Sequence, residues 1–119
     1  MELHNLTDTE NLNVVAFEKE TMDKLGLIPE IAPRYRATYF SHIIGGYAAG
    51  YYSYLWAEVL DTDAFEAFKE HGVFDKNTAD SFRKNILEKG GTEDPMTLYR
   101  GFRGADPSLE PLLKNRGLK

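Results

Sequence analysis

Cysteine is absent from the 119 residues. That excludes disulfides, a thiol nucleophile and any cysteine-based zinc site, and it fits a reducing compartment. Basic charge is scarce: 14 Lys and Arg stand against 19 Asp and Glu, a net charge of -5. A phosphate backbone needs clustered cations, so nucleic acid is not an expected partner. No run approaches the ~20 apolar residues that span a bilayer. The stretch Met1 to Glu10 is polar and lacks the apolar centre of a signal peptide. The expectation is therefore a cytoplasmic chain with no membrane partner. Of the three histidines, His4, His42 and His71, none opens a His-Glu-x-x-His zinc motif, because Asn5, Ile43 and Gly72 follow them. No serine stands in a Gly-x-Ser-x-Gly elbow. The pairs Gly45-Gly46 and Gly90-Gly91 lack the Lys-Ser or Lys-Thr of a phosphate loop. No internal repeat or low-complexity tract is present.

What remains is an ordinary globular balance, 42% hydrophobic and 28% charged. The length suits one small domain with a thin core. The patterning predicts an all-α fold. A first helix is expected from about Leu12 to Lys24, stopped at Gly26. Pro29 and Pro33 make 27–33 a connector. Residues Arg34 to Ile44 would suit a short helix or a strand, with helix weakly favoured. The main helix is expected from about Tyr47 to Phe68, with a possible break at Asp61-Thr62-Asp63, where Asp63 would cap a second part. A further helix, Thr78 to Lys89, would be capped by Asn77 and stopped by Gly90-Gly91. Two short helices would open on Asp94-Pro95 and Asp106-Pro107, aspartate as cap and proline in the first turn. Leu109, Leu112 and Leu113 would form a docking stripe on the last, which contains Pro111 and ends at Gly117.

Tyrosine is where the sequence concentrates. Four of its seven tyrosines fall between positions 47 and 54. On a helix turning about 100° per residue, Tyr47, Tyr51 and Tyr54 lie within about 60° of one another. Glu58 continues that stripe, while Ala48, Tyr52, Leu55 and Val59 would face the core. Neutral phenols can donate hydrogen bonds to a developing oxyanion, and an adjacent glycine pair permits a moving loop. Tyrosines at helical spacing also simply pack, with the hydroxyl at the rim, and spacing alone favours packing. His42, taken alone, is weaker still as a catalyst. The carboxylates Asp61 and Asp63 read as solvated cap or loop residues.

The run from Tyr39 to Leu60, Phe-Ser-His-Ile-Ile-Gly-Gly-Tyr-Ala-Ala-Gly-Tyr-Tyr-Ser-Tyr at its centre, resembles the C-terminal region of the thimet oligopeptidase family of zinc metallopeptidases. The runs Phe82 to Pro95 and Gly104 to Leu118 look like the same family's following segments. Within the family, the form Gly-Tyr-Ala-Ala-Gly-Tyr-Tyr looks closest to bacterial peptidyl-dipeptidases. The resemblance implies an all-helical fold, one wall of a deep channel that admits short peptides. It implies a zinc-bound water, activated by a glutamate, as the attacking group. It further implies that His42 helps bind substrate near the scissile bond and that Gly45, Gly46 and Tyr47 form the glycine-rich loop. Tyr51 and Tyr54 would reach toward the scissile carbonyl, which makes Tyr54, Tyr51 and His42 the candidate catalytic groups.

The zinc ligands of that family are not in this chain, so no metal residue is assigned. The 119 residues are expected to be a single helical fragment matching the C-terminal part of a catalytic domain. Alone, the chain is expected to be inactive. Its expected partners are short peptides, the missing N-terminal portion and, through exposed apolar faces, a second copy of itself. The alternative is a non-catalytic helical interaction module whose tyrosines only pack.

Overall fold

The computed structural model describes residues 1–119, and its regular structure is entirely helical. The chain divides into two compact units, Met1–Tyr52 and Ser53–Lys119.

The first unit holds one α-helix and short 3-10 turns. Helix α1 spans Val14–Lys24; the Asn13 side chain caps it by accepting the Ala16 N–H at 3.0 Å. Gly26 follows at φ +71°, the left-handed stop the sequence predicts. Beyond the connector, Arg34 to Ile44 forms no α-helix, only a 3-10 turn at Ser41–Ile43. The Arg36 carbonyl instead accepts both the Tyr39 and Phe40 N–H groups, closing a tight turn. The expected helix from Tyr47 also fails to start there. Ala48 sits at φ +46°, a left-handed conformation that a right-handed helix cannot pass through. Gly50–Tyr52 is a second 3-10 turn.

The second unit carries the core. Helix α2 is Ser53–His71, unbroken through Asp61 and Asp63. Asp63 is not a cap: it is buried and accepts the Tyr99 hydroxyl at 2.5 Å. Helix α3, Lys76–Phe82, is capped by Asp75 rather than Asn77; the Asp75 carboxylate takes the Thr78 N–H at 2.7 Å. It runs on into a π turn at Arg83–Leu87. Helix α4, Pro95–Arg103, follows the predicted pattern, with Asp94 accepting the Thr97 N–H at 2.9 Å and Gly104 left-handed after it. Helix α5 is Glu110–Asn115, so Asp106-Pro107 does not open it. Asp106 instead receives a bond from Arg100 Nε at 2.5 Å. Pro111 falls in the first turn of α5, where its missing N–H is harmless, and Gly117 ends the segment at φ +67°.

Val59, Ala67, Leu98, Tyr99 and Leu112 make the core of this unit. Of the predicted inward face, only Val59 is buried; Ala48, Tyr52 and Leu55 are exposed. In the docking stripe Leu112 is buried, Leu113 half-buried and Leu109 exposed. Phe68, Phe82 and Phe102 join the core, Phe82 meeting each of the other two edge to face, with the Phe82 and Phe102 ring centroids 5.1 Å apart. Helix α4 lies close against the π turn. A Cβ on Gly101 would stand 3.0 Å from the Asn85 Oδ1 atom, so glycine is what leaves room for the Asn85 side chain.

Candidate functional site

Three of the predicted site residues meet in the first unit. The His42 ring lies 5.7 Å from the Tyr47 ring and 5.4 Å from that of Tyr51, centroid to centroid. Tyr47 and Tyr51 meet each other at 5.3 Å, tilted by 66°. The cause is not the helical stripe. The turns around Gly45-Gly46 and Ala48 fold the chain back, and the rings assemble edge to face, the arrangement their quadrupoles favour. Tyr54 stands apart from that argument: it lies in the first turn of α2, in the second unit, and is exposed.

Two walls of this box escaped the sequence reading. Tyr35 stacks on Phe40 at 4.8 Å and 7°, and both rings lie 5.5 Å from His42. Phe40 also meets Tyr51 edge-on at 4.8 Å. The cluster borders an apolar concavity of about 750 Å³, lined among others by Phe17, Met22, Tyr35, Phe40 and Tyr51. Inside the box, the Nδ1 atom of His42 is buried and has no hydrogen-bond partner. Such an atom costs about 1–3 kcal/mol until something pairs with it. Tyr47 keeps 37% of its surface exposed.

Gly45 and Gly46 behave alike. Neither has a positive φ. A Cβ on Gly45 would make only ordinary contact, and one on Gly46 would meet nothing within 4 Å. The fold of this unit does not demand glycine at either place. What glycine leaves there is a bare backbone that another chain can approach closely.

The second unit carries a polar network that sequence reasoning also missed. Arg103 donates through Nη1 and Nη2 to Glu70 at 2.9 and 2.7 Å. Its Nε lies 3.4 Å from the Asp63 carboxylate, an ion pair without hydrogen-bond alignment. Burial raises the Tyr99 phenol pKa, and the bond to Asp63 and that group's charge raise it further. The Arg103 fork holds the Glu70 carboxyl below its usual value. A signal for Asp63 was available: it stands four residues from Val59 and from Ala67, on one buried stripe of α2. The network links α2 to α4 and includes none of the residues singled out for chemistry.

No group of three or more His, Asp or Glu side chains is placed to hold a metal ion among the described residues. The residues present therefore do not fit a zinc ion, and no step is routed through one here. No helix is long and apolar enough to cross a membrane.

Comparison with known proteins is consistent with the resemblance. Residues 1–118 match the model of Peptidase family M3. Oligopeptidase A of Haemophilus influenzae is 44% identical over 118 residues, 98% of this chain and 17% of that protein. Oligopeptidase A of Escherichia coli is 57% identical over 81 residues, 67% of this chain and 12% of that protein. The dipeptidyl carboxypeptidase of Escherichia coli is 43% identical over 114 residues, 95% of this chain and 16% of that protein. The chain thus spans between an eighth and a sixth of the length of these relatives, and with nearly its whole length matched, it belongs to peptidase family M3.

Proposed function

We propose that these 119 residues form the C-terminal, substrate-binding portion of a zinc metallopeptidase that hydrolyses short peptides, one wall of its channel. In this reading His42, Tyr47 and Tyr51 bind the peptide beside its scissile bond. Gly45 and Gly46 let its backbone come close. Tyr51 and Tyr54 donate hydrogen bonds to the oxyanion that forms when the carbonyl is attacked. Zinc, with its ligands and a general base, belongs to residues outside this chain.

The observation that carries the reading is the His42 box: a buried, unpartnered ring nitrogen among four aromatic rings, beside a glycine pair the fold does not need. The packing-only alternative would bury all three tyrosines of the motif. The exposure of Tyr47 and Tyr54 speaks against it. The relatives' names divide between oligopeptidase and dipeptidyl carboxypeptidase, so the reading extends to short peptides as a class. A cytoplasmic setting belongs to it too, although one relative is named cytosolic and another chloroplastic/mitochondrial. Self-association through the apolar surface of α1 or the exposed aromatics of α2, such as Trp56 and Phe65, completes the proposal. A monomer by light scattering at high concentration would remove that last part.

The test is complementation. The pure chain is mixed with the zinc-bearing remainder of Escherichia coli oligopeptidase A and assayed on a short peptide, with and without zinc. Hydrolysis is expected only for the mixture with zinc. Tyr54→Phe should then lower kcat by about 10²–10³, the effect of losing an oxyanion donor. Zinc-dependent hydrolysis by the chain alone, or unchanged kcat in Tyr54→Phe, counts against the proposal.

A further inference from the structure

Only one of the first 52 residues is buried, and it is a carboxylate. Glu18 projects from α1, at 9% exposure. Its Oε2 accepts the Ala37 N–H at 2.7 Å, and its Oε1 meets Arg36 Nε at 2.6 Å. A charge is tolerated in such a place only when it is paired and hydrogen-bonded, and these two contacts supply both requirements.

What the clamp holds is specific. Arg36 is the residue whose carbonyl accepts the Tyr39 and Phe40 N–H groups and closes the turn. Tyr35, immediately before it, and Phe40, at the end of that turn, are the stacked pair that walls the His42 ring. Both walls of the box therefore hang from the two residues that Glu18 grips. No apolar residue of this unit is buried, so the ring contacts and this clamp are what the turn has to hold it. We infer that Glu18 is a positioning residue for the peptide-binding box. It anchors the Arg36–Phe40 turn so that Tyr35 and Phe40 hold the His42 ring. This rests on the function proposed above and adds a residue to it.

A side chain that only filled space could be replaced by any other of its size. A positioning carboxylate makes a sharper demand: the acceptor for the Ala37 N–H matters more than the charge. Glutamine keeps one such acceptor and alanine keeps none.

The 119-residue chain, labelled in its aromatic rings and leucine methyl groups, reports this by NMR. The His42 ring protons should be displaced by the currents of four rings whose centroids lie 5.4 to 5.7 Å away. In Glu18→Ala these signals should move to the positions of an unstructured histidine, while those of Leu98 and Tyr99 in the second unit stay. Glu18→Gln should keep them displaced, and Arg36→Met should move them part of the way. Glu18→Ala with wild-type His42 signals overturns the proposal. Should Glu18→Ala lose the Leu98 and Tyr99 signals as well, Arg36→Met decides, and unchanged His42 signals there overturn it. Titration with tetra-alanine separates the two ideas. Wild type should bind at least about tenfold more tightly than Glu18→Ala, the scale of one lost hydrogen bond to a charged group. No binding by wild type sinks the peptide reading and leaves the clamp to be judged on the ring shifts.

Discussion

The two units are organised by opposite means. Ser53–Lys119 has an apolar core, Val59, Ala67, Leu98, Tyr99 and Leu112, and a buried Asp63–Tyr99 bond inside it. Met1–Tyr52 has no buried apolar side chain; aromatic rings meet face to edge near its surface, and the buried residue is Glu18. Burial of a leucine stabilises by about 1.5–3 kcal/mol, whereas an aromatic pair adds about 0.5–1.5 kcal/mol beyond its area. The scaffold is thus concentrated in one unit and most of the candidate chemistry in the other. Segments that bind ligands are commonly drawn from the less stable end of a structure.

The comparison can be broken most directly with core truncations. Leu98→Ala should cost about 2–5 kcal/mol in denaturant unfolding. Val15→Ala, on the exposed side of α1, should stay within about 0.5 kcal/mol. Equal costs would erase the distinction. Tyr99→Phe comes next, at about 1–3 kcal/mol, because it strips a buried carboxylate of its hydroxyl donor. It also tests a pH effect. The folded state raises the Tyr99 pKa, so its contribution is complete below the ordinary tyrosine value of about 10 and is lost as pH rises beyond it. Wild type should lose stability in that alkaline range and Tyr99→Phe should lose less; identical profiles would contradict the assignment.

In the first unit, Ala48→Gly should stabilise by about 0.5 kcal/mol. Relief of a left-handed alanine, about 1–2 kcal/mol, is set against the extra chain entropy of glycine, about 0.5–1 kcal/mol. Slower amide exchange across Gly46–Gly50 would register it. The smallest effect is at acid pH. Glu70, Asp75, Asp80, Asp106 and Glu110 all have lowered pKa values, from bonds donated by Arg103, the Thr78 N–H, Lys76, Arg100 and Lys119 respectively. Their stabilisation is present above the ordinary carboxylate range near 4 and fades as pH falls through the depressed values. All five lie in the second unit. Acid should therefore loosen that unit gradually, and Arg103→Met should remove the Glu70 share from the melting curve.

Local signals were legible in the sequence. Gly26 and Gly117 ended segments where expected, and Asp94-Pro95 opened α4. The same Asp-Pro signal at 106 misled because Arg100 takes the Asp106 carboxylate. Tyr47, Tyr51 and Tyr54 were singled out by a helix that begins only at Ser53. Two of those rings nevertheless meet His42, through turns that no periodicity describes. Glu18 and Asp63 were missed for one reason, although the spacing of Asp63 from Val59 and Ala67 carried a signal. A carboxylate on a helix reads as a solvated face until a partner is known, and theirs lie 19 and 36 residues away.

The close approach of Gly101 to Asn85 carries a consequence for how this chain can change over time. Asn85 cannot simply swing aside, since its amide donates to the Ser81 carbonyl at 3.0 Å. An alanine at 101 is therefore tight while asparagine remains at 85, because that side chain must give by a few tenths of an ångström, and it is relieved once 85 becomes small. The two positions are coupled in order: a lineage that passes through Asn85→Ala first reaches Gly101→Ala without strain, and one that attempts the reverse must first displace the Asn85 side chain.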